Sequence, residues 1–129
     1  MEPSQLKRIP LFADASDEEL KKVAFFAQSK EVDEGTEVIS EGGFSRELLA
    51  IEDGTAEVTR DGEHVADLGQ GDIFGEAGML DDDMRSATVT ATSRLKLISM
   101  GHFEVKRLKK DAPGVYAKIE ALVEERKNA

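Results

Sequence analysis

Residues Phe74–Val89 read FGEAGMLDDDMRSATV, and the way this run is read decides what is built around it. A carboxylate, Glu76, directly follows a glycine. Nine positions later a single arginine, Arg85, stands behind three aspartates and in front of an alternating Ala/Thr/Val segment. As surface polarity the arrangement means little. As a site it holds two charges of opposite sign, one in a short turn and one at the start of a strand.

Gly75–Leu80 has the length of a single helical turn, whose first amide N–H groups lack intrahelical partners. Such an N-terminus attracts anions, and Gly75 lets a ligand approach the backbone closely. Arg85 supplies the compensating charge, because guanidinium donors match two phosphate oxygens at once. Glu76 would repel a phosphate, but an ionised carboxylate is acceptor-only and asks for a donor such as a hydroxyl. The residues therefore suit a small sugar phosphate, with phosphate on backbone amides and Arg85 and a hydroxyl on Glu76. The competing reading is a structural ion pair bracing the strands.

Outward from this run, Val32–Ile98 consists of short apolar segments punctuated by glycine. Asp53-Gly54 and Asp61-Gly62 are hairpin signals. In AEVTR, Ala56 and Val58 share a face; in SATVTAT, Ala87, Val89 and Ala91 oppose the threonines. Helical signals occupy the two ends. Ser16-Asp17-Glu18-Glu19 reads as a capping box leading into Leu20, Val23, Ala24 and Ala27. Ser99 reads as an N-cap before a helix carrying Phe103 and Leu108. After Pro113-Gly114, an amphipathic helix places Val115, Ile119, Leu122 and Val123 on one stripe. The fold class expected is mainly β with flanking helices: an antiparallel β-roll or jelly roll with an N-terminal helix, a short helix in the quoted run and C-terminal helices.

Composition limits the function. The 129 residues suit one domain over residues 1–129, and 40% hydrophobic content can build its core. With 27 acidic against 17 basic side chains, a formal charge of -10 repels phosphate backbones, so no nucleic-acid partner is expected. There is no cysteine, no signal-peptide-like start and no run of about 18 apolar residues, which together suggest a cytoplasmic protein without membrane insertion. His64 and His102 are expected on the surface, and no metal site is expected; Asp81, Asp82 and Asp83 read as a solvated loop. No nucleophile–base pair or metal constellation emerges, so an enzyme is not expected.

The longer run LGQGDIFGEAGMLDDDMRSATV resembles the phosphate-binding cassette of the cyclic-nucleotide-binding domain family, the family of the catabolite activator protein and protein kinase A regulatory-subunit effector domains. Upstream, VDEGTEVISEGGFSRELLAIEDGTAEV is similar to that family's glycine-marked strands. The resemblance implies that Glu76 accepts from the ribose 2′-hydroxyl and Arg85 contacts the exocyclic phosphate oxygens. Phe74, Gly75, Ala77, Ser86 and Ala87 would complete the cradle. It implies cAMP or cGMP as ligand, cAMP slightly favoured by Ser86. No further cofactor is implied. Tyr116, Ile119 and Val123 are the candidates for lid or base contacts. Met84 stands where many members have proline, and Gly43 replaces a frequent aspartate. The last helix has no Ser or Thr, so base contacts of the catabolite-activator branch do not carry over. The function implied is a sensor that signals through its C-terminal helices to an unknown protein effector or a second copy of itself. The alternative is a scaffold that no longer binds nucleotide and offers the Val115, Ile119 and Leu122 stripe to a partner.

Overall fold

A computed structural model of the protein describes residues 1–40, 47–75 and 87–127. The glycine-punctuated middle forms eight strands among these residues: β1 (Gln28–Val32), β2 (Glu37–Ile39), β3 (Glu47–Asp53), β4 (Ala56–Arg60), β5 (Glu63–Leu68), β6 (Ile73–Phe74), β7 (Thr88–Ala91) and β8 (Leu95–Gly101). They make two antiparallel four-stranded sheets, ordered β1-β8-β3-β6 and β2-β7-β4-β5. Strand pairs nest, β1 with β8, β2 with β7, β3 with β6 and β4 with β5, as in a jelly roll. Among the described residues four helices flank the roll: α1 (Pro3–Leu6), α2 (Asp17–Phe26), α3 (His102–Asp111) and α4 (Pro113–Lys127), with a 3-10 turn at Pro10–Phe12.

The first sheet is the middle layer. Alternation along its strands sends Leu48, Ala50, Ile73, Ile98 and Met100 to the helical side and Leu49, Ile51, Phe74, Leu95 and Leu97 to the second sheet. This is why β3 and β8 read as nearly continuous apolar runs rather than alternating ones: both faces are covered. The helical layer contributes Leu6, Ile9, Phe12, Leu20, Val23, Val105, Leu108, Val115 and Ile119, all essentially inaccessible.

Several local expectations change. Asp61-Gly62 does turn a hairpin, both residues at positive φ (54° and 81°) between the paired Arg60 and Glu63. Asp53-Gly54 instead carries the chain from the first sheet to the second, because β3 and β4 lie in different sheets. Ser99 is no cap; it is buried within β8, paired there with Gln28 of β1, and the strand continues to Gly101 because β3 pairs with it that far. Gly101 is the N-cap of α3. Starting there, the helical period turns His102, Val105 and Leu108 inward and leaves Phe103 exposed. His102 is therefore buried, contrary to expectation, whereas His64 is half-exposed and lies 2.8 Å from a Glu57 oxygen.

The capping box is half formed. Ser16 Oγ accepts from the Glu19 amide at 3.2 Å, but the Glu19 carboxylate turns to another helix, accepting from the Gly114 and Val115 N–H groups at 2.9 and 3.3 Å. The chain itself offers α4 no cap, since the preceding Ala112 has no side-chain acceptor and Pro113 has no N–H. Gly114 makes room for the visiting carboxylate: a Cβ there would lie 2.9 Å from Glu19 Oε2. Glu19→Ala should lower stability by about 1–2 kcal/mol in urea unfolding, with faster amide exchange at Gly114 and Val115; Glu19→Gln should lose less. Unchanged exchange at those two amides would show that the contact does not cap α4.

A pair of glycines tests the sheet crossing. Gly54 has φ +105°, and an added Cβ would sit 2.5 Å from the Arg94 carbonyl oxygen; Gly62 has φ +81° and open space around it. Gly62→Ala carries mainly the left-handed strain, about 1–2 kcal/mol. Gly54→Ala adds a clash with backbone that must move, roughly 2–4 kcal/mol in total by the same denaturation measurement. Equal losses would contradict the close approach at Gly54.

Candidate functional site

Of the expected site residues, Phe74, Gly75, Ala87, Tyr116, Ile119 and Val123 are described; Glu76, Ala77, Arg85 and Ser86 lie outside the described residues, as do Asp81–Asp83 and Met84, and Gly43 upstream. The described flanks fix where this sequence leaves and rejoins the roll. Ile73 and Phe74 form an edge strand of the first sheet, Phe74 opposite Leu49 with its side chain in the inter-sheet core. Gly75 follows at φ +86°, a conformation that disfavours side-chain-bearing residues. The chain re-enters in the second sheet, where Thr88 pairs with Thr59 and Val89 is buried opposite Val58. Ala87 is half-buried at that junction. The residues between Gly75 and Ala87 thus connect an edge of one sheet to an inner strand of the other.

The approach to Gly75 is held tightly. Asp72 accepts from the Gly69 amide at 2.8 Å through its carboxylate, while its own N–H donates to the Gly69 carbonyl at 3.0 Å. The Ile51 amide donates to the Asp72 carbonyl at 2.9 Å, and the Gly71 amide donates to the Ile51 carbonyl at 2.8 Å. Gly71, at φ +89°, faces the 3-10 turn so closely that a Cβ would lie 3.0 Å from Pro10 Cδ. Gly69 and Gly71 belong to the glycine punctuation visible in the sequence; the contact with Pro10 has no local sequence signature.

The C-terminal candidates sit elsewhere in the packing. Ile119 and Val123 are buried, and Ile119 belongs to the helical-side core. Tyr116 is half-buried against that core; burial, with a smaller contribution from Glu120, pushes its phenol above the ordinary value. The stripe that the scaffold alternative would offer to a partner is occupied within the chain, since Val115 and Ile119 are inaccessible and Leu122 packs beside them.

One group among the described residues could present three metal-type ligands: Glu57, His64 and Asp67, with ligand atoms within 4.8 Å of one another. Glu57 and Asp67 are cross-strand partners, a like-charge pairing that His64 bridges, Nδ1 to Glu57 at 2.8 Å and Nε2 to Asp67 at 3.7 Å. With one exposed imidazole between two carboxylates, the cluster works as a polar clamp on the β4–β5 hairpin. On the opposite edge, Arg94 binds Glu31 at 2.6 Å, and that hydrogen bond and charge hold the Glu31 carboxyl below its ordinary value. No described helix is long and apolar enough to cross a membrane.

Comparison with known proteins agrees with this frame. Residues 29–111, more than half of the chain, match the cyclic nucleotide-binding domain family. The chain is 43% identical over 105 residues to the cAMP-dependent protein kinase regulatory subunit of Yarrowia lipolytica, covering 80% of this chain and 28% of that subunit. It therefore spans less than a third of this relative's length. Among solved structures, PKAR CBD2 bound to Sp-2Cl-cAMPS superposes with a TM-score of 0.83 at 25% identity, over 99% of this chain and 86% of that one. The catabolite activator protein of Thermus thermophilus gives a TM-score of 0.83 at 26% identity, over 92% and 58%. The nested two-sheet roll, its flanking helices and these likenesses together place the chain in the cyclic nucleotide-binding domain family, related to protein kinase A regulatory subunits and catabolite activator proteins.

Proposed function

We propose that this chain is a cytoplasmic sensor module, a single domain over residues 1–129, that binds a cyclic nucleotide through residues 74–87, with cAMP preferred over cGMP. Occupancy passes through α4 to a protein partner. The observation that carries the reading is the conjunction of FGEAGMLDDDMRSATV with its two anchored ends: Gly75 leaves the first sheet in a left-handed conformation and Ala87 rejoins the second. The names of the similar proteins support cAMP as ligand, and that of the Yarrowia lipolytica relative makes a protein kinase the first class of partner to test.

In this reading Arg85 pairs with the phosphate, Glu76 accepts from the ribose 2′-hydroxyl, and the backbone at Gly75, Ala77, Ser86 and Ala87 lines the cradle beside Phe74. Removing one side of a desolvated charge pair costs roughly 2–5 kcal/mol, so Arg85→Ala should weaken cAMP binding by about 30-fold to several thousand-fold in titration calorimetry. Glu76→Gln keeps an acceptor oxygen and should lose about 1–2 kcal/mol. That loss should nearly vanish for 2′-deoxy-cAMP, while the Arg85 loss persists. Equal impairment of both variants for both nucleotides, with earlier melting of the free proteins, would assign the two residues to a structural ion pair instead.

The route to α4 has its own test. Tyr116 is partly exposed and presents the ring most available to a base, whereas Ile119 and Val123 touch a ligand only if α4 leaves its present packing. A short helix depends on its packing for order, so hydrogen exchange across Val115–Glu125 should slow at saturating cAMP. Unchanged exchange at saturation would remove α4 from the signalling path.

A further inference from the structure

Two large aromatic side chains are left in solvent, Phe25 at 83% and Phe103 at 73% exposure, on the neighbouring helices α2 and α3. Phe25 ends a stripe on α2 with Glu18, Lys21 and Lys22, at the i, i+3, i+4, i+7 spacing of one helical face. One turn beyond Phe103 on α3 comes Arg107, whose guanidinium lies 5.4 Å from the ring centroid of Phe26. Phe26 meets Phe25 edge to face at 5.4 Å. Lys21, Lys22, Phe25, Phe26 and Arg107 line a groove of about 650 Å³ between the helices, with Glu18 and Asp111 also on its walls.

We propose that this groove docks an acidic protein segment carrying an apolar anchor. Charge complementarity selects that occupant. Lys21, Lys22 and Arg107 make no ion pair among the described residues, and they outnumber the two carboxylates of the groove in a chain whose total is -10. A segment with spaced carboxylates completes these cations, and an aromatic or leucine side chain covers the rings of Phe25 and Phe26, a combination of buried anchor and charged rim that suits peptide-in-groove recognition. Nucleic acid fits less well, because the chain's overall field repels a long polyanion. A second copy fits less well too, because two-fold pairing of the groove would set the same cations against each other. The inference goes beyond nucleotide sensing and does not depend on it.

Selection of a random dodecapeptide phage library on the full chain, at roughly 50 mM salt to favour exposed charge contacts, tests the proposal. Enriched sequences should combine Asp or Glu with Phe, Leu or Trp. A synthetic copy of the leading sequence should lose about 10- to 30-fold in affinity for the Phe25→Ala variant, as expected for truncation of the ring that meets the anchor. It should lose comparably for Lys22→Glu/Arg107→Glu, with a flatter salt dependence. All three positions are on the surface, and cAMP titration and melting of each variant report separately on the nucleotide site and the fold. Enrichment of neutral or basic peptides, no enrichment, or undiminished binding to either variant would overturn the proposal. So would a concentration-dependent dimer in sedimentation velocity that disappears in Phe25→Ala, which would make a second copy the occupant.

Discussion

The antiparallel ladder between β3 and β8 is the constraint on which the rest of the structure depends, because it is the inner pair of a sheet with a hydrophobic layer against each face. Side-chain alternation divides each strand between two cores, so neither layer can be repacked without changing the other. A one-residue slip would send Leu48 and Ala50 to the side of Leu49 and Ile51, exchanging both apolar sets at once; the register is therefore doubly specified. β1 shows the contrast. Four of its five residues are exposed, and what holds it is its pairing with β8.

From that ladder the described approach to the candidate site, Gly71–Gly75, takes its anchorage. Ile51 closes the Gly71–Asp72 turn through backbone bonds in both directions, while its side chain is fully buried between the sheets. The two residues of β6 split in the same way, Ile73 toward the helices and Phe74 toward the second sheet. Close-packed interiors transmit displacement rather than absorb it. A displacement of Phe74 or Gly75 would consequently be felt in the helical layer through Ile73 and through the Gly71–Pro10 contact. Glu19 extends that layer to α4 by capping its N-terminus, so α2 and α4 share one electrostatic contact across the helical layer.

What the sequence disclosed follows physical rules that act locally, and what it concealed depends on partners distant in the chain. Leu20, Val23 and Ala24, or Val115, Ile119 and Val123, declare their buried faces by helical spacing alone. Asp61-Gly62 and Asp53-Gly54 are indistinguishable as turn chemistry, yet one closes a hairpin and the other changes sheets, because β3 is already paired on both sides by β8 and β6. β1 was not legible, since QSKEV has no apolar alternation to reveal it. Placing an N-cap at Ser99 misjudged both the end of β8 and the face of α3, exchanging the fates of His102 and Phe103. The chemistry proposed for the candidate site differs in kind: it rests on residues 74–87, one short contiguous run that can be read without knowing any distant partner.

A formal charge of -10 is an odd setting for an anion site until distances are considered. At physiological ionic strength the Debye length is about 8 Å, so an exposed carboxylate farther than that from a bound phosphate would act on it only weakly. Several of them are also neutralised nearby: Lys30 holds Glu47 at 2.6 Å, and Arg94 holds Glu31 at 2.6 Å with Lys96 close by. Affinity for a small cyclic phosphate can then rest on a few donors at contact distance, one arginine and backbone amides, where screening is least effective. A long polyanion cannot use that arrangement, because each additional phosphate would meet the unneutralised acidic surface. If residues 74–87 bind as proposed, the acidic composition would filter phosphates by size, admitting a mononucleotide where a nucleic acid would be repelled.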